Sequence, residues 1–145
     1  MSDDKTPPDE PKLWLPASDW AWVPDGKYEL GYRDRSYVRY FGKGHKLAIT
    51  FAILSQGAHF GTLVTRYFNV DKQGRNYRAP RKGDLNREMA DLFGKQSARR
   101  GMDWPRLKST IIEGEIRTVT KSTNQRELTE QTRYSVVNRL LRVIQ

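Results

Sequence analysis

The feature that most constrains the fold is a strict alternation of side chains near the middle of the chain. Large apolar residues occur at every second position, namely Leu47, Ile49, Phe51 and Ile53, and alanine or threonine fills the positions between them. A period of two places these four side chains on one face of a β-strand, whereas a helix would spread them around its axis. We therefore expect a half-buried strand here, within a β-sheet.

The flanking segments carry further strand signals. A first strand is predicted from Lys27, continuing or bending through 33–36 to Phe41, and the glycine-rich triplet at 42–44 predicts a hairpin turn. A third β-rich segment, 59–70, has aromatic and aliphatic residues in both phases. Two more strands are predicted to start at Ser109 and Arg133. We expect polar connections at 71–83 and 123–127.

One short amphipathic helix is predicted between the third and fourth strands. Asp84 is a suitable N-cap, and Gly94 is a suitable end. The residues between them that repeat at helical spacing are Leu85, Met89, Leu92 and Phe93. The following segment, 96–104, is basic and is predicted to be a loop. The expected order is therefore three strands, one helix and two strands.

Composition points to a polyanionic partner. Lysine and arginine total 26 against 17 aspartate and glutamate, which gives a net charge of +9. The chain contains no cysteine, so disulfides, thiol nucleophiles and cysteine-ligated metal sites are excluded. No apolar run is long enough to span a bilayer and no signal peptide is recognisable, so a cytoplasmic protein without a membrane partner is expected.

Charge is distributed unevenly along the chain. Residues 1–11 contain four carboxylates, one lysine and three prolines, and we expect them to form a flexible acidic tail. The remaining residues, 12–145, carry the positive charge and are the right length for a single domain. The aromatic segment that follows the tail, with Trp14, Trp20 and Trp22, is expected to clamp the chain onto the core.

Between residues 28 and 82, aromatic rings alternate with cations. Rings can stack on exposed bases and cations attract phosphates, so this combination on strands favours binding of single-stranded nucleic acid. Strand alternation predicts that Tyr28, Tyr32, Phe51 and Phe60 belong to the core instead, and Phe68 should also point inward. The expected binding residues are Tyr37, Arg39, Tyr40, Phe41, Lys43, Lys46, Arg66, Tyr67, Lys72, Arg75, Tyr77, Arg78, Arg81 and Lys82.

The order of elements predicts the fold more specifically. An all-β chain with one short helix between strands 3 and 4 of five is the arrangement of the OB-fold, a five-stranded Greek-key barrel. Its binding face lies on the second and third strands, which here are rich in tyrosine, phenylalanine, lysine and arginine. Topology and chemistry thus predict the same nucleic-acid-binding side of the molecule.

Several segments resemble phage-type and mobile-element single-stranded DNA-binding proteins with this fold. The similarity lies in VPDGKYELGY, KLAITFAI, GTLVTRYFNV, EGEIRTVTK and YSVV, and it covers most of residues 23–140. It implies DNA binding without sequence preference during replication or recombination, assembly into homo-oligomers, and contacts with replication or recombination proteins. It departs at the end of the chain, where such proteins often carry an acidic tail and this sequence reads LLRVIQ.

The sequence gives little sign of catalysis, so we expect a protein that is not an enzyme and that has no cofactor and no metal site. His45 and His59 are the only histidines, and no pattern supplies a third ligand. A metal-dependent nuclease or junction-processing enzyme is one alternative. It would use Asp25, Glu29 or the Glu113 and Glu115 pair, whose two carboxylates share a strand face. An RNA-binding OB protein is the other, because RNA offers the same bases and phosphates. A basic adaptor for an acidic protein is a further alternative.

Overall fold

The structure is a computed structural model that describes residues 22–40, 44–119 and 134–145. The predicted acidic tail, the first part of the predicted hairpin turn and the predicted loop at 123–127 lie outside the described residues. Trp14 and Trp20 lie outside them as well. Within the described part, none of the helices is both long and apolar enough to cross a membrane.

Antiparallel strands form most of the molecule, so the all-β prediction is confirmed. The strands are β1 (Gly26–Tyr40), β2 (Gly44–Ile53), β3 (Leu63–Gln73), β4 (Asn76–Arg78), β5 (Ile111–Val119) and β6 (Tyr134–Val143). They make one six-stranded sheet in the order β4-β3-β2-β1-β5-β6, in which each neighbouring pair is antiparallel. The last strand begins at Tyr134, next to the predicted start at Arg133, and it remains a strand as far as Val143.

The prediction of five strands was wrong because the segment at 71–83 is not a plain connection. β3 continues to Gln73, and Gly74 then turns the chain with a φ of 61°. This left-handed conformation favours glycine, and it returns the chain so that β4 pairs with the end of β3. The turn signal was visible in the sequence, but three-residue strands are too short to produce a pattern.

The prediction of a single helix was also wrong. The structure contains α1 (Asp84–Phe93), α2 (Lys95–Arg99) and α3 (Trp104–Lys108) between β4 and β5. Gly94 ends α1 as predicted, with a φ of 95°. Asp84 is the first residue of the helix rather than its N-cap, and its carboxylate pairs with Arg87 instead. The short α2 and α3 lack the repeated apolar spacing that would identify them in a sequence.

The start of α3 has a local cause. Asp103 is its N-cap, and Oδ1 of Asp103 accepts a hydrogen bond of 3.1 Å from the backbone N–H of Arg106. Pro105 follows within the first turn, where its missing N–H leaves no hydrogen bond unmade. Pro105 therefore helps to start a helix at the end of the segment, 96–104, that was expected to be a loop.

The core lies on one face of the sheet, under α1. The four alternating residues of β2, Leu47, Ile49, Phe51 and Ile53, are each at most 1% exposed, which confirms the strand prediction. Leu85 and Met89 of α1 cover this core. Phe60, by contrast, is 64% exposed, so its predicted core position was wrong. It lies in a turn before β3, where its N–H bonds to the carbonyl of Gly57, and strand alternation does not apply there.

A buried carboxylate connects the two strands that meet at the open side of the sheet. β3 and β6 contact each other but are not hydrogen-bonded neighbours in the sheet. Glu88 of α1 is 1% exposed, and its Oε1 accepts hydrogen bonds from Nε of Arg66 at 3.1 Å and from the backbone N–H of Leu140 at 2.8 Å. The expected closed five-stranded barrel is therefore not confirmed: the sheet is open, and one side chain of α1 links β3 to β6.

Candidate nucleic-acid interface

An irregularity in β1 places three candidate side chains on one face. The pairing of β1 with β2 shifts by one residue between Tyr32 and Asp34. On either side of this shift, Tyr32, Arg35 and Tyr37 each lie opposite a buried apolar residue of β2. A bulge of this kind changes the face on which the following residues lie. Because of it, two rings and a cation follow one another along the core side of the sheet.

The far end of this face carries a pair of stacked tyrosines. The rings of Tyr37 on β1 and Tyr77 on β4 lie 3.8 Å apart and are tilted by only 5°. His45 meets Tyr77 edge-on at 5.7 Å, and Nζ of Lys72 is 5.9 Å from the centre of the same ring. Tyr37 remains 43% exposed. The tyrosine pair (Tyr37 and Tyr77) therefore offers an accessible flat surface beside a cation.

A second group of rings and cations, the tryptophan cluster, surrounds Trp104 at the start of α3. It comprises Tyr32, Arg35, Trp104 and Lys108. The guanidinium carbon of Arg35 is 3.9 Å from the centre of the Trp104 ring, and Tyr32 lies 6.2 Å from that ring. Nζ of Lys108 is 5.9 Å from the Tyr32 ring. Cation–π contacts of this kind position a cation without neutralising its charge.

We use the name ring–cation track for the tyrosine pair, the tryptophan cluster and Lys72 taken together. Arg35, Lys72 and Lys108 form no salt bridge with any carboxylate in the described part of the chain. Among the residues that the structure describes, Arg35 makes one long hydrogen bond, of 3.4 Å, to the hydroxyl of Tyr32. Within these residues, no carboxylate neutralises the three cations.

The structure brings together some of the residues expected from the sequence. Tyr37, Tyr77 and Lys72 meet directly, and Arg39 lies opposite His45 in the register, next to the tyrosine pair. Arg75, Arg78, Arg81 and Lys82 are all exposed but belong to the turn after β3, to β4 and to the segment before α1. They add positive charge close in sequence to Tyr77, and in the described ranges none of them makes a cation–π contact with a ring.

Arg66 occupies a different environment from the one expected. It is 7% exposed, its guanidinium pairs with Glu88, and it also lies 4.2 Å from the ring of Phe68. Alternation along β3 turns Arg66 to the core side, as it turns Phe68, which is 1% exposed as predicted. A phosphate cannot reach this cation without breaking a buried ion pair, so we leave Arg66 out of the interface.

Tyr67 and Lys46 lie on the opposite face of the sheet from the track. Tyr67 pairs across the strands with Ala48, and Lys46 pairs with Asn69. Burial raises the pKa of Tyr67, the neighbouring Tyr134 raises it further, and a hydrogen bond with the side chain of Thr65 partly offsets both. The expected groove on the second and third strands therefore divides between two faces. Phe41, Lys43 and the side chain of Tyr40 lie outside the described residues.

The prediction from the sequence missed several residues of the ring–cation track. Arg35, Trp104 and Lys108 were not among the expected binding residues, and Tyr32 was expected in the core, where it is in fact half-buried. A period of two could have linked Arg35 to Tyr37. No sequence pattern, however, locates the bulge that brings Tyr32 to the same face, or the helix that brings Trp104 against Arg35.

The carboxylates considered for a metal site have protein partners. Glu113 accepts a hydrogen bond of 3.0 Å from Nε of Arg142, and Glu115 accepts one of 2.9 Å from the side-chain amide of Asn138. The bond from Asn138 is the main reason why the pKa of Glu115 is lowered. In the described ranges, no group of three or more histidine, cysteine, aspartate or glutamate residues could hold a metal ion.

Comparison of the chain with protein-family models, with curated proteins and with solved structures found no match. The chemistry of the site is therefore the basis for the function proposed below.

Proposed function

We propose that this protein binds single-stranded DNA without sequence preference and does not catalyse a reaction. The observation that carries the proposal is the ring–cation track, where accessible rings touch cations that have no carboxylate partner among the described residues. The net charge of +9 provides long-range attraction for a polyanion. Replication or recombination of a phage or mobile element is the process that the sequence resemblance suggests.

The proposed chemistry divides the work between rings and cations. Tyr37, Tyr77 and Trp104 stack on bases, each contributing about 1–3 kcal/mol whatever the base. Arg35, Lys72 and Lys108 contact phosphates, and each contact adds about 0.7 to the magnitude of the log–log salt slope on a single strand. Neither interaction reads base edges, so affinity without sequence preference follows.

We further propose that the sheet is an OB-type barrel in which side chains, instead of strand pairing, connect β3 to β6. In its favour, β1 lies between β2 and β5, β3 contacts β6, and the helices precede β5. The antiparallel order makes β3 and β6 run in the same direction where they meet, as the third and fifth strands of an OB barrel do. The link from Arg66 through Glu88 to Leu140 takes the place of strand pairing there.

Fluorescence anisotropy of a labelled oligothymidine of about 15 nucleotides, a length that one such barrel can cover, tests the proposed function. We expect tight binding at about 50 mM salt, a steep loss of affinity at about 200 mM, and weak binding to a duplex of the same length. A double variant, Tyr37→Ala with Tyr77→Ala, should bind far more weakly. Tyr67→Phe, on the other face, is the matched control and should bind as the unmodified protein does.

The outcomes discriminate between the alternatives. Equal affinity for duplex and single strand, or full affinity in the double tyrosine variant, would contradict the proposal. Competition with an oligouridine of the same length distinguishes DNA from RNA, because the track contacts only groups that both polymers share. Preferential displacement by oligouridine would make RNA the target.

A further inference from the structure

A cup in the surface adjoins the ring–cation track at Trp104. It has a volume of about 530 Å³ and is open to solvent on one side. The side chains that matter for its chemistry come from α2, α3 and the segment between them: Gln96, Arg100, Met102, Asp103, Trp104 and Arg106. Its volume lies within the range of roughly 300–1,000 Å³ that is usual for small-molecule sites.

We propose that this cup binds one nucleotide as a unit, with its base against Trp104 and its phosphate between Arg100 and Arg106. The inference rests on the proposed function for the origin of the nucleotide, since Trp104 belongs both to the cup and to the track. A strand that follows the track would therefore reach the cup at Trp104.

The cations of the cup are suited to a phosphate. Arg100 and Arg106 are exposed, and neither forms a salt bridge with a carboxylate of the residues that the structure describes. The guanidinium of Arg106 lies 4.6 Å from the ring of Phe93, which limits the directions in which this side chain can point. Arginine can donate two parallel hydrogen bonds to a phosphate, so a positioned guanidinium favours this ligand.

The other residues that line the cup favour a ligand that contains a base over inorganic phosphate. Trp104 and Met102 provide an apolar wall against which a flat ring can pack. Asp103 places a carboxylate beside the two arginines, and one of its oxygens already accepts the N–H of Arg106. The other carboxylate oxygen can accept a hydrogen bond from an N–H group of a base, which inorganic phosphate does not offer. Gln96 can both donate to and accept from a base edge.

Nuclear magnetic resonance of the indole N–H groups provides the direct test. The chain has four tryptophans, so the Trp104 signal can be assigned by its loss in Trp104→Phe. We expect thymidine monophosphate to shift this signal to saturation, with thymidine or inorganic phosphate alone giving a much weaker effect. Arg100→Ala should weaken binding of the monophosphate by roughly tenfold, the value for one charged hydrogen-bonding partner.

Arg99→Ala is the matched control, because it removes the same charge from the neighbouring exposed residue, which does not line the cup. Its affinity for thymidine monophosphate should equal that of the unmodified protein. The inference is overturned if the monophosphate leaves the Trp104 signal in place, if phosphate alone reproduces the shift, or if Arg99→Ala and Arg100→Ala behave alike.

An oligothymidine titration of the same variants separates this inference from the proposed function. Weaker binding of both oligothymidine and monophosphate by Arg100→Ala identifies a strand nucleotide as the occupant. Weaker binding of the monophosphate alone identifies a free nucleotide. If the protein binds no oligothymidine but still binds the monophosphate, the proposed function fails and the cup remains a nucleotide site. If oligothymidine binds through Tyr37 and Arg100→Ala changes neither affinity, the cup inference alone fails.

Discussion

Arg66 and Arg35 are the same type of residue on two strands of one sheet, yet they are placed for different roles. Arg66 on β3 is 7% exposed and pairs with the buried carboxylate of Glu88. Arg35 on β1 is half-buried and lies 3.9 Å from the ring of Trp104, with no carboxylate partner in the described ranges. The partner that each cation meets decides whether its charge stabilises the fold or remains available to a ligand.

The physical reason is the cost of removing a charge from water. A buried cation must be neutralised, and a carboxylate on a facing helix neutralises Arg66 while also satisfying the backbone N–H of Leu140. An aromatic ring attracts a cation without neutralising it, so the positive charge of Arg35 can still attract an anion from the solvent. Net charge alone does not distinguish these two environments.

The largest expected effect concerns the buried pair. Glu88→Gln removes the buried carboxylate and leaves Arg66, among the described residues, only the exposed carboxylate of Asp84, whose Oδ2 lies 3.5 Å from Nη2 of Arg66. We expect the free energy of unfolding to fall by about 3 kcal/mol. Urea denaturation followed by circular dichroism measures the change. The protein that remains folded should bind oligothymidine with unchanged affinity, because Glu88 is 1% exposed and does not belong to the track.

Two further variants show whether burial is the cause of that effect. The double variant Arg66→Met with Glu88→Leu removes both charges and should be more stable than Glu88→Gln alone, although the N–H of Leu140 loses its acceptor. Arg87→Ala removes an exposed pair with Asp84 and should cost less than about 1 kcal/mol. Equal losses in Glu88→Gln and Arg87→Ala would contradict this account.

The next effect in size concerns stacking at the tyrosine pair. Tyr37→Ala removes a ring that is 43% exposed, and we expect affinity for oligothymidine to fall by about 1–3 kcal/mol, or about 5- to 150-fold. Anisotropy titration measures this loss, and thermal unfolding checks that the fold is retained. Tyr37→Phe keeps the ring and should preserve most of the affinity. A similar loss in both variants would argue against stacking.

The charge of Arg35 should be visible in the salt dependence. Arg35→Met keeps an apolar stem against Trp104 but removes one phosphate contact, so the magnitude of the log–log slope should decrease by about 0.7. Titrations at several salt concentrations give the slope. Arg87→Met, at an exposed site on α1, is the control for a change in net charge and should leave the slope nearly unaltered. Equal slopes in all three proteins would remove Arg35 from the interface.

The smallest effect concerns the opposite face of the sheet. Because burial raises the pKa of Tyr67 above its ordinary value of 10.0, the folded state favours the neutral phenol. The resulting stability is present below about pH 10 and is lost as the pH rises through the raised folded-state value. Tyr67→Phe should therefore make stability less dependent on pH in this alkaline range, as measured by urea denaturation. An unchanged pH dependence would contradict the burial of this phenol.

The sequence predicted the β-class and the main strands well, because long alternating segments such as 47–53 have only one regular explanation. It also identified α1 through Leu85, Met89 and Gly94, whose spacing is specific to a helix that ends at a glycine. It missed β4, α2 and α3, which are three to five residues long and too short for any periodicity. It also could not show whether β3 and β6 pair, since that depends on distant parts of the chain.

The candidate site was predicted only in part, for a related reason. Local pattern indicated rings and cations, and Tyr37, Lys72 and Tyr77 do meet in the structure. Tertiary contacts decided the rest. Glu88 on α1 forms an ion pair with Arg66, and α3, which was not predicted, brings Trp104 to Arg35. Neither partner is near in sequence, so neither contact could be deduced from spacing.

Photocrosslinking of oligothymidine, with mass spectrometry of the crosslinked peptides, reports which rings touch bases and so decides whether the ring–cation track binds the strand. We expect crosslinks at Tyr37, Tyr77 and Trp104, on the face that carries Arg35, and their loss at high salt. Crosslinks confined to Tyr67 and Tyr134, on the other face of the sheet, would contradict this expectation. In that case the cations of the track would have no role in binding a strand.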